Sequence, residues 1–153
     1  MAISRRKRLQ LLKDISAAYL QLRKTISSLS DAELMRPGSA GKWSGKDVMA
    51  HIADWEGVYA GILQDRDARR PENWPAEDDT DQALDAWNES QVIAKADWSL
   101  DEVREYFEQT HADLMELLER LPIIDQDEVI EFTKYHYSMH YDDFMACRAK
   151  PAR

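Results

Sequence analysis

Apolar residues recur at alternating intervals of three and four positions near the start of the chain. Such spacing places one apolar stripe along a helix and is typical of a seam in a helical bundle. We therefore predict a long first helix, whose stripe consists of Leu12, Ile15, Tyr19, Leu22, Ile26 and Leu29. After it, Ser30 and Glu33 form a capping box for a short helical turn that must stop at Pro37.

A second apolar stripe follows Ser44, which together with Asp47 gives the signal of a helix start. This stripe predicts a helix from about residue 45 to residue 66 and consists of Val48, Ile52, Trp55, Tyr59 and Ile62. The charged segment that follows contains two prolines and is predicted to be a loop. Thr80 or Asp81 then caps a shorter helix that ends near Trp98.

Two further helix starts follow in the remainder of the chain. Ser99 and Glu102 form a capping box before a stripe that ends at Pro122, and Asp125 can cap a final helix running to about Ala149. The stripe between them consists of Val103, Phe107, Thr110, Leu114, Leu118 and Leu121. Because no alternation typical of strands occurs, we predict an all-α protein with four long helices.

The connection between the second and third long helices, residues 63–97, contains the extra short helix. A connection of that length can cross a bundle, so an up-down-down-up four-helix bundle is possible beside a simple meander. The residue pattern does not choose between them. A chain of 153 residues fits a single domain that spans the whole sequence.

Charge and cysteine content narrow the classes of function. The formal net charge is −9, so we expect no nucleic-acid partner. Residues 1–24 nevertheless hold seven basic residues and one acidic residue, Asp14. We interpret them as a solvated helix face that pairs with acidic neighbours, and docking of this helix onto an acidic surface is the alternative. With Cys147 as the single cysteine and no membrane span, we predict a cytoplasmic protein.

Three of the four histidines are predicted to point into the bundle. His51 lies within the apolar stripe of the second helix, and His136 and His140 lie one turn apart on the apolar face of the last helix. Paired helical histidines hold zinc in metalloenzymes, and burial of three unpaired imidazoles would be costly. We therefore predict a divalent metal site of His51, His136 and His140, although each histidine alone is more typical of a satisfied core residue.

Asp143 lies near the same face, three residues after His140. It could orient a ligand imidazole, act as a catalytic base or bind the metal, and solvation of the helix end is the alternative. We interpret Asp54 as facing solvent, and a hydrogen bond within the site is the alternative. His111, at the flank of its stripe, is predicted at the surface or its boundary, and Cys147 is predicted to be a small core residue.

Tryptophans cluster around the second helix and the crossover, and they could wall a pocket for an apolar or planar ligand. They are Trp43, Trp55, Trp74, Trp87 and Trp98, and packing alone explains most of them. The sequence contains no glycine-rich phosphate loop, serine-hydrolase elbow or Cys-x-x-Cys pair. Nucleotide binding, serine hydrolysis and dithiol redox chemistry therefore have no support.

Two segments resemble the signatures of a known family. WSGKDVMAHIADWE, residues 43–56, is similar to the second-helix signature of the DinB-like superfamily, and HYSMHYDDF, residues 136–144, is similar to the matching last-helix signature. Residues 84–122, with Asn88 and the helix start at Ser99, resemble the ClbS/DfsB branch. The resemblance to a ClbS/DfsB-type four-helix bundle protein covers nearly the whole chain.

The resemblance implies an up-down-down-up bundle, often dimeric, with a divalent metal on the positions that His51, His136 and His140 fill here. It also implies thiol-dependent transfer or isomerisation, in which a low-molecular-weight thiol is the co-substrate.

Our leading functional hypothesis is a metal-dependent S-transferase or hydrolase. It would activate water or a low-molecular-weight thiol against a small electrophilic substrate, in detoxification or resistance. Zinc suits three imidazoles, and nickel or iron suits them too. The alternative is a ClbS-like protein that binds a small molecule or toxin for self-resistance, with a structural metal or none. A third hypothesis is an interaction module that uses the basic first helix.

Overall fold

Helices account for the predicted apolar stripes, except for the last residue of two of them, Leu29 and Leu121. The computed structural model describes residues 2–148. Within them the elements are α1 (Arg5–Ser27), α2 (Asp31–Met35), α3 (Gly45–Asp67), α4 (Asp81–Ala94), α5 (Leu100–Arg120), α6 (Gln126–Ile130), a π-helical turn (Glu131–Tyr135) and α7 (His136–Ala146). The last three are continuous, and we call them together the last helix. No strand occurs in the described part of the chain, which confirms the all-α prediction.

Local side-chain caps fix most of the helix starts where the sequence predicts them. Reciprocal capping boxes are present at Ser30–Glu33, Ser44–Asp47 and Ser99–Glu102, while Thr80 caps α4 and Asp125 caps α6. The observed helix ends differ more from the predicted ones. The fourth helix stops at Ala94 instead of near Trp98, because the chain turns at Lys95 to reach the start of α5. The predicted end at Ala149 lies outside the described residues, and α7 ends at Ala146.

Contacts along α3 and α5 show that these two helices are parallel. Near their starts, the Lys46 ammonium donates to the Trp98 carbonyl at 2.6 Å. Further along both helices, the Tyr106 hydroxyl donates to Asp54 at 2.6 Å. Since α3 and α5 are consecutive long helices, the intervening connection with α4 must cross the bundle.

The first helix is antiparallel to α5. Arg8, near its start, donates to the carbonyls of Leu118 and Pro122 at the far end of α5, while Arg23 pairs with Glu108 at 2.7 Å. The basic face of this helix therefore contacts both an acidic neighbour and the free carbonyls that end a helix.

The last helix is antiparallel to α3. Tyr59, late in α3, stacks on Phe132 early in the last helix, whereas His51, earlier in α3, lies beside His140 later in the last helix. The four directions are therefore up, down, down and up, as the family resemblance predicts.

The second long helix, α3, occupies the centre of the bundle. Residues 48–56 are all buried, which is the pattern of a helix covered on every side. It contacts α2, α4, α5 and the last helix. Among residues 2–148 no helix combines the length and apolar character that crossing a bilayer requires.

Candidate metal centre

The predicted histidine triad comes together between α3 and the last helix. His51 is buried on α3, and His136 and His140 lie half-buried one turn apart on α7. The Nε2 atom of His136 is 3.2 Å from that of His51 and 3.1 Å from that of His140. One nitrogen from each ring lies within 4.8 Å of the others.

These spacings fit a divalent ion. Nitrogens bonded to zinc at 2.0–2.1 Å in a tetrahedral or octahedral arrangement lie about 3.0–3.4 Å apart. A neutral imidazole nitrogen carries either one proton or one lone pair, so His136 Nε2 cannot form good hydrogen bonds to both neighbours. A cation accepts three lone pairs at once, and these three residues therefore have the donor set of a three-histidine metal site.

Two rings of the triad are also in the protonation state that a metal requires. Burial, with the neighbouring His136 and His140 rings, lowers the pKa of His51 to about 2. Burial and the nearby His140 ring lower the pKa of His136 to about 3. Both rings are therefore neutral at physiological pH, and each has a lone pair available to bind a metal ion.

Asp143 contacts the triad through His140. Its Oδ2 atom lies 2.8 Å from His140 Nδ1, across one turn of α7. A carboxylate at that nitrogen holds the proton on Nδ1 and leaves the lone pair on Nε2, the atom that faces His136. Both side chains are partly open to solvent, at 15% and 26%. Of the roles predicted for Asp143, this geometry favours orientation of a ligand imidazole.

A π-helical turn immediately precedes His136, and the sequence pattern did not indicate it. Thr133, in this turn, is fully buried and its hydroxyl donates to the Val129 carbonyl at 2.6 Å. Such turns shift the register of the residues after them and are frequent at functional sites. Here the shift applies to both histidines of α7.

The prediction that His111 lies at the surface or its boundary is wrong. Its ring is buried and its Nδ1 atom donates to Glu56 Oε2 at 3.0 Å. The physical reason is that α3 supplies a buried carboxylate to a flank position of α5, so the polar ring is satisfied inside the core. His111 is separate from the triad.

The interpretation of Asp54 as a solvent-facing residue is also wrong. Its carboxylate is buried, accepts from the Tyr106 hydroxyl and pairs with the Lys95 ammonium at 2.9 Å. Burial raises the pKa of Asp54, and the bonds from Tyr106 and Lys95 oppose that rise. Asp54 thus fastens the end of the crossover to α3 and α5.

The tryptophans divide into separate groups. Trp55 contacts Trp87 and Trp74, with ring centroids 4.9 and 5.5 Å away, and also Phe132 at 6.2 Å. Trp98 instead packs on Tyr106. We call Trp55, Trp74, Trp87 and Phe132 the aromatic cluster. Trp55 lies one turn after His51 on α3, so this cluster borders the triad.

Two further residues lie where the sequence placed them. Trp43 packs at 5.2 Å from the His51 ring, and its indole donates to Glu89 on α4. Cys147 is fully buried, and its thiol donates to the Asp143 carbonyl at 3.4 Å. The prediction of Cys147 as a small core residue is confirmed.

Comparisons with known proteins agree with this architecture. The family model of the DinB superfamily matches residues 14–143. The solved structure of Sibling Lethal Factor Precursor - DfsB is similar with a TM-score of 0.75 and 18% sequence identity, covering 90% of this chain and 92% of that chain. At this identity the likeness shows a shared fold. No curated protein sequence matches.

Proposed function

This chain belongs to the DinB superfamily, and on that premise we propose that it is an enzyme dependent on a divalent metal held by His51, His136 and His140. The observation that carries the proposal is the convergence of three Nε2 atoms from two helices. Three histidines leave coordination positions open, which is the arrangement of catalytic rather than structural sites. Zinc, nickel and iron all accept this donor set.

The chemistry of the site is activation of a nucleophile. When bound, a divalent ion supplies Lewis acidity that lowers the pKa of a water or a thiol within its reach. Asp143 Oδ2 holds the Nδ1 proton of His140 and so keeps that ring in one tautomer. Because Nδ1 is on the side of the His140 ring away from Nε2, we assign Asp143 the role of orienting His140 rather than that of accepting the proton that the nucleophile gives up.

The substrate we propose is a small electrophile with an apolar or planar part. The aromatic cluster lies one turn from the triad and is held by a hydrogen bond from the Trp55 indole to Asn88 on α4, at 2.9 Å. Aromatic walls beside a few polar groups are typical of small-molecule sites. A low-molecular-weight thiol is the proposed co-substrate, and water is the nucleophile if the reaction is hydrolysis.

The same aromatic cluster favours one alternative, a protein that binds an electrophilic toxin without turning it over. In that case the metal is structural or absent. Turnover separates the two functions, because a binding protein becomes saturated at one ligand per site.

The test measures conjugation of a low-molecular-weight thiol to a panel of small electrophiles by the wild-type protein. We expect multiple turnovers that a chelator abolishes and that added Zn²⁺, Ni²⁺ or Fe²⁺ restores. His51→Ala should lose this activity, whereas Asp142→Asn, a change at an exposed carboxylate beside Asp143, should keep it. Turnover that is insensitive to the chelator and to His51→Ala contradicts the proposal, and stoichiometric binding without turnover favours the alternative.

A further inference from the structure

Each of the four long helices contributes one residue to a polar network in the middle of the bundle. The members are Tyr19 from α1, Glu56 from α3, His111 from α5 and Tyr137 from the last helix. All four are buried, and Glu56 is only 1% exposed. We call this set the core network.

The hydrogen bonds of the core network converge on the Glu56 carboxylate. The Tyr137 hydroxyl donates to Oε1, and His111 Nδ1 donates to Oε2 at 3.0 Å. The Tyr137 hydroxyl is also 3.1 Å from His111 Nδ1. Tyr19 stacks on the His111 ring, with centroids 3.5 Å apart and planes 7° from parallel. Both carboxylate oxygens are therefore satisfied inside the core.

The core network joins the same two helices that carry the triad. Tyr137 directly follows His136, and Glu56 lies five residues after His51 on α3. A bond between Tyr137 and Glu56 thus fixes how α7 is rotated and spaced against α3. The distance from His51 to His136 depends on that same rotation and spacing.

Directional bonds matter at this point because apolar packing alone defines rotation poorly. Hydrophobic contacts are non-directional, and cores tolerate alternative packing before they lose stability. A metal site instead needs its ligands within about 0.5 Å and 10–20° of the productive arrangement. The π-helical turn just before His136 departs from regular α-helical hydrogen bonding, so the register after it needs an external restraint.

A buried carboxylate is a costly restraint. Taking Glu56 out of water is unfavourable unless its bonds are good, and a well-packed apolar residue often gives equal or greater stability. Stability alone therefore does not account for a buried acid whose two partners lie on two different helices. The position of Glu56 next to the helices of the triad accounts for its burial.

From these observations we propose that Glu56, His111 and Tyr137 are positioning residues, which set the geometry of the His51, His136 and His140 site from within the core. This inference rests on the proposed metal-dependent function. Removing the Tyr137 hydroxyl frees one Glu56 oxygen and releases the rotation of α7, so the three nitrogens should bind a metal less tightly while all three remain present.

The test compares Tyr137→Phe with Tyr59→Phe as its matched control. Tyr59 is also a buried tyrosine whose hydroxyl donates from α3 to a glutamate of the last helix, Glu128 at 3.1 Å. That bond lies on the other side of the π-helical turn from His136. Each substitution removes one Tyr–Glu hydrogen bond between α3 and the last helix. Only the bond that Tyr137→Phe removes lies beside the triad.

The readouts are the Kd for Co²⁺ alone, the visible absorption of bound Co²⁺ and the unfolding temperature of the metal-free protein. We expect Tyr137→Phe to weaken Co²⁺ binding about tenfold and to change the absorption spectrum, and Tyr59→Phe to change the Kd by less than about twofold. If Tyr137→Phe does not fold, Glu56→Gln, which keeps the side-chain shape, is measured with the same criteria.

Equal Co²⁺ affinity and spectra in Tyr137→Phe and the wild type, with only the unfolding temperature lowered, would overturn the positioning role while leaving the metal site intact. Absence of stoichiometric Co²⁺ binding in the wild-type protein would overturn the proposed function and this inference together. The wild-type titration therefore distinguishes the two failures.

Discussion

Removal of the Asp143 carboxylate tests whether this residue acts through His140. The 2.8 Å contact between Asp143 Oδ2 and His140 Nδ1 is a charge-assisted hydrogen bond across one turn of α7. Hydrogen bonds to charged groups contribute about 1.5–3 kcal/mol, and the partial exposure of both side chains reduces that value. Loss of a side chain that hydrogen-bonds to a metal ligand typically weakens metal binding about 10–100-fold.

Two substitutions separate the charge of Asp143 from its hydrogen-bond acceptor. In Asp143→Asn the amide oxygen can still accept the Nδ1 proton, so only the charge is lost and we expect metal binding to weaken about tenfold, or about 1.4 kcal/mol. In Asp143→Ala the acceptor is lost as well, so His140 is free to change tautomer and we expect a decrease nearer to about a hundredfold.

The assay is competition for Zn²⁺ between the metal-free protein and a chromophoric chelator at neutral pH. Asp142→Asn is the matched control, since it removes a neighbouring carboxylate that is exposed. It should leave the affinity unchanged. If Asp143→Ala binds Zn²⁺ as tightly as the wild type, the orienting role of Asp143 is refuted, and solvation of the helix end becomes its explanation.

Two further predictions concern stability. Burial and the neighbouring rings lower the pKa of His51 to about 2 and that of His136 to about 3. Below pH 6.5 the unfolded chain therefore binds protons that the folded protein does not. The free energy of unfolding is consequently highest above that pH and decreases as the pH falls. In urea unfolding with a chelator present, the free energy of unfolding should decrease by about 1.4 kcal/mol per histidine between pH 7.5 and 5.5. The double variant His51→Gln/His136→Gln should not show this decrease, and equal pH dependence in both proteins would contradict the prediction. Lys95→Met leaves Asp54 buried without its cation and should lower the free energy of unfolding, measured by the same method, by about 3–5 kcal/mol. The double variant Asp54→Asn/Lys95→Met removes both charges and should lower it much less. Equal losses in the two variants would contradict the importance of the buried pair.

Features that depend on neighbouring residues in the sequence were predictable. The capping boxes at Ser44 and Ser99 need only a partner three residues away, and both are present in the structure. The inward direction of His51 follows from the periodicity of α3 alone. The pairing of His136 with His140 likewise follows from their spacing, so the residues of the candidate site could be found without a structure.

Features that depend on a second helix were not predictable. His111 lies at the flank of its own stripe, and its burial depends on Glu56, which only the parallel packing of α3 and α5 brings near. Asp54 is buried because Lys95 and Tyr106 reach it from two other elements. The burial of Glu56 likewise depends on His111 and Tyr137, which contact it from two other helices.

Oligomeric state and location stay predictions. A homodimer rests on the family resemblance, and a cytoplasmic location rests on the single cysteine. Light scattering measures the first directly, and a mass near the 17.8 kDa of one chain would contradict it.

The metal content of the protein tests the central claim most directly. The protein is purified without a metal-affinity tag, and its divalent metals are measured by elemental analysis beside His51→Ala, His136→Ala, His140→Ala and His111→Gln. We predict one divalent ion per wild-type chain, a sharp loss in each of the three alanine variants, and retention of the ion in folded His111→Gln with at most a weakened affinity. A wild-type protein that neither contains nor takes up a stoichiometric divalent ion at neutral pH would contradict the account, as would alanine variants of the triad that retain it.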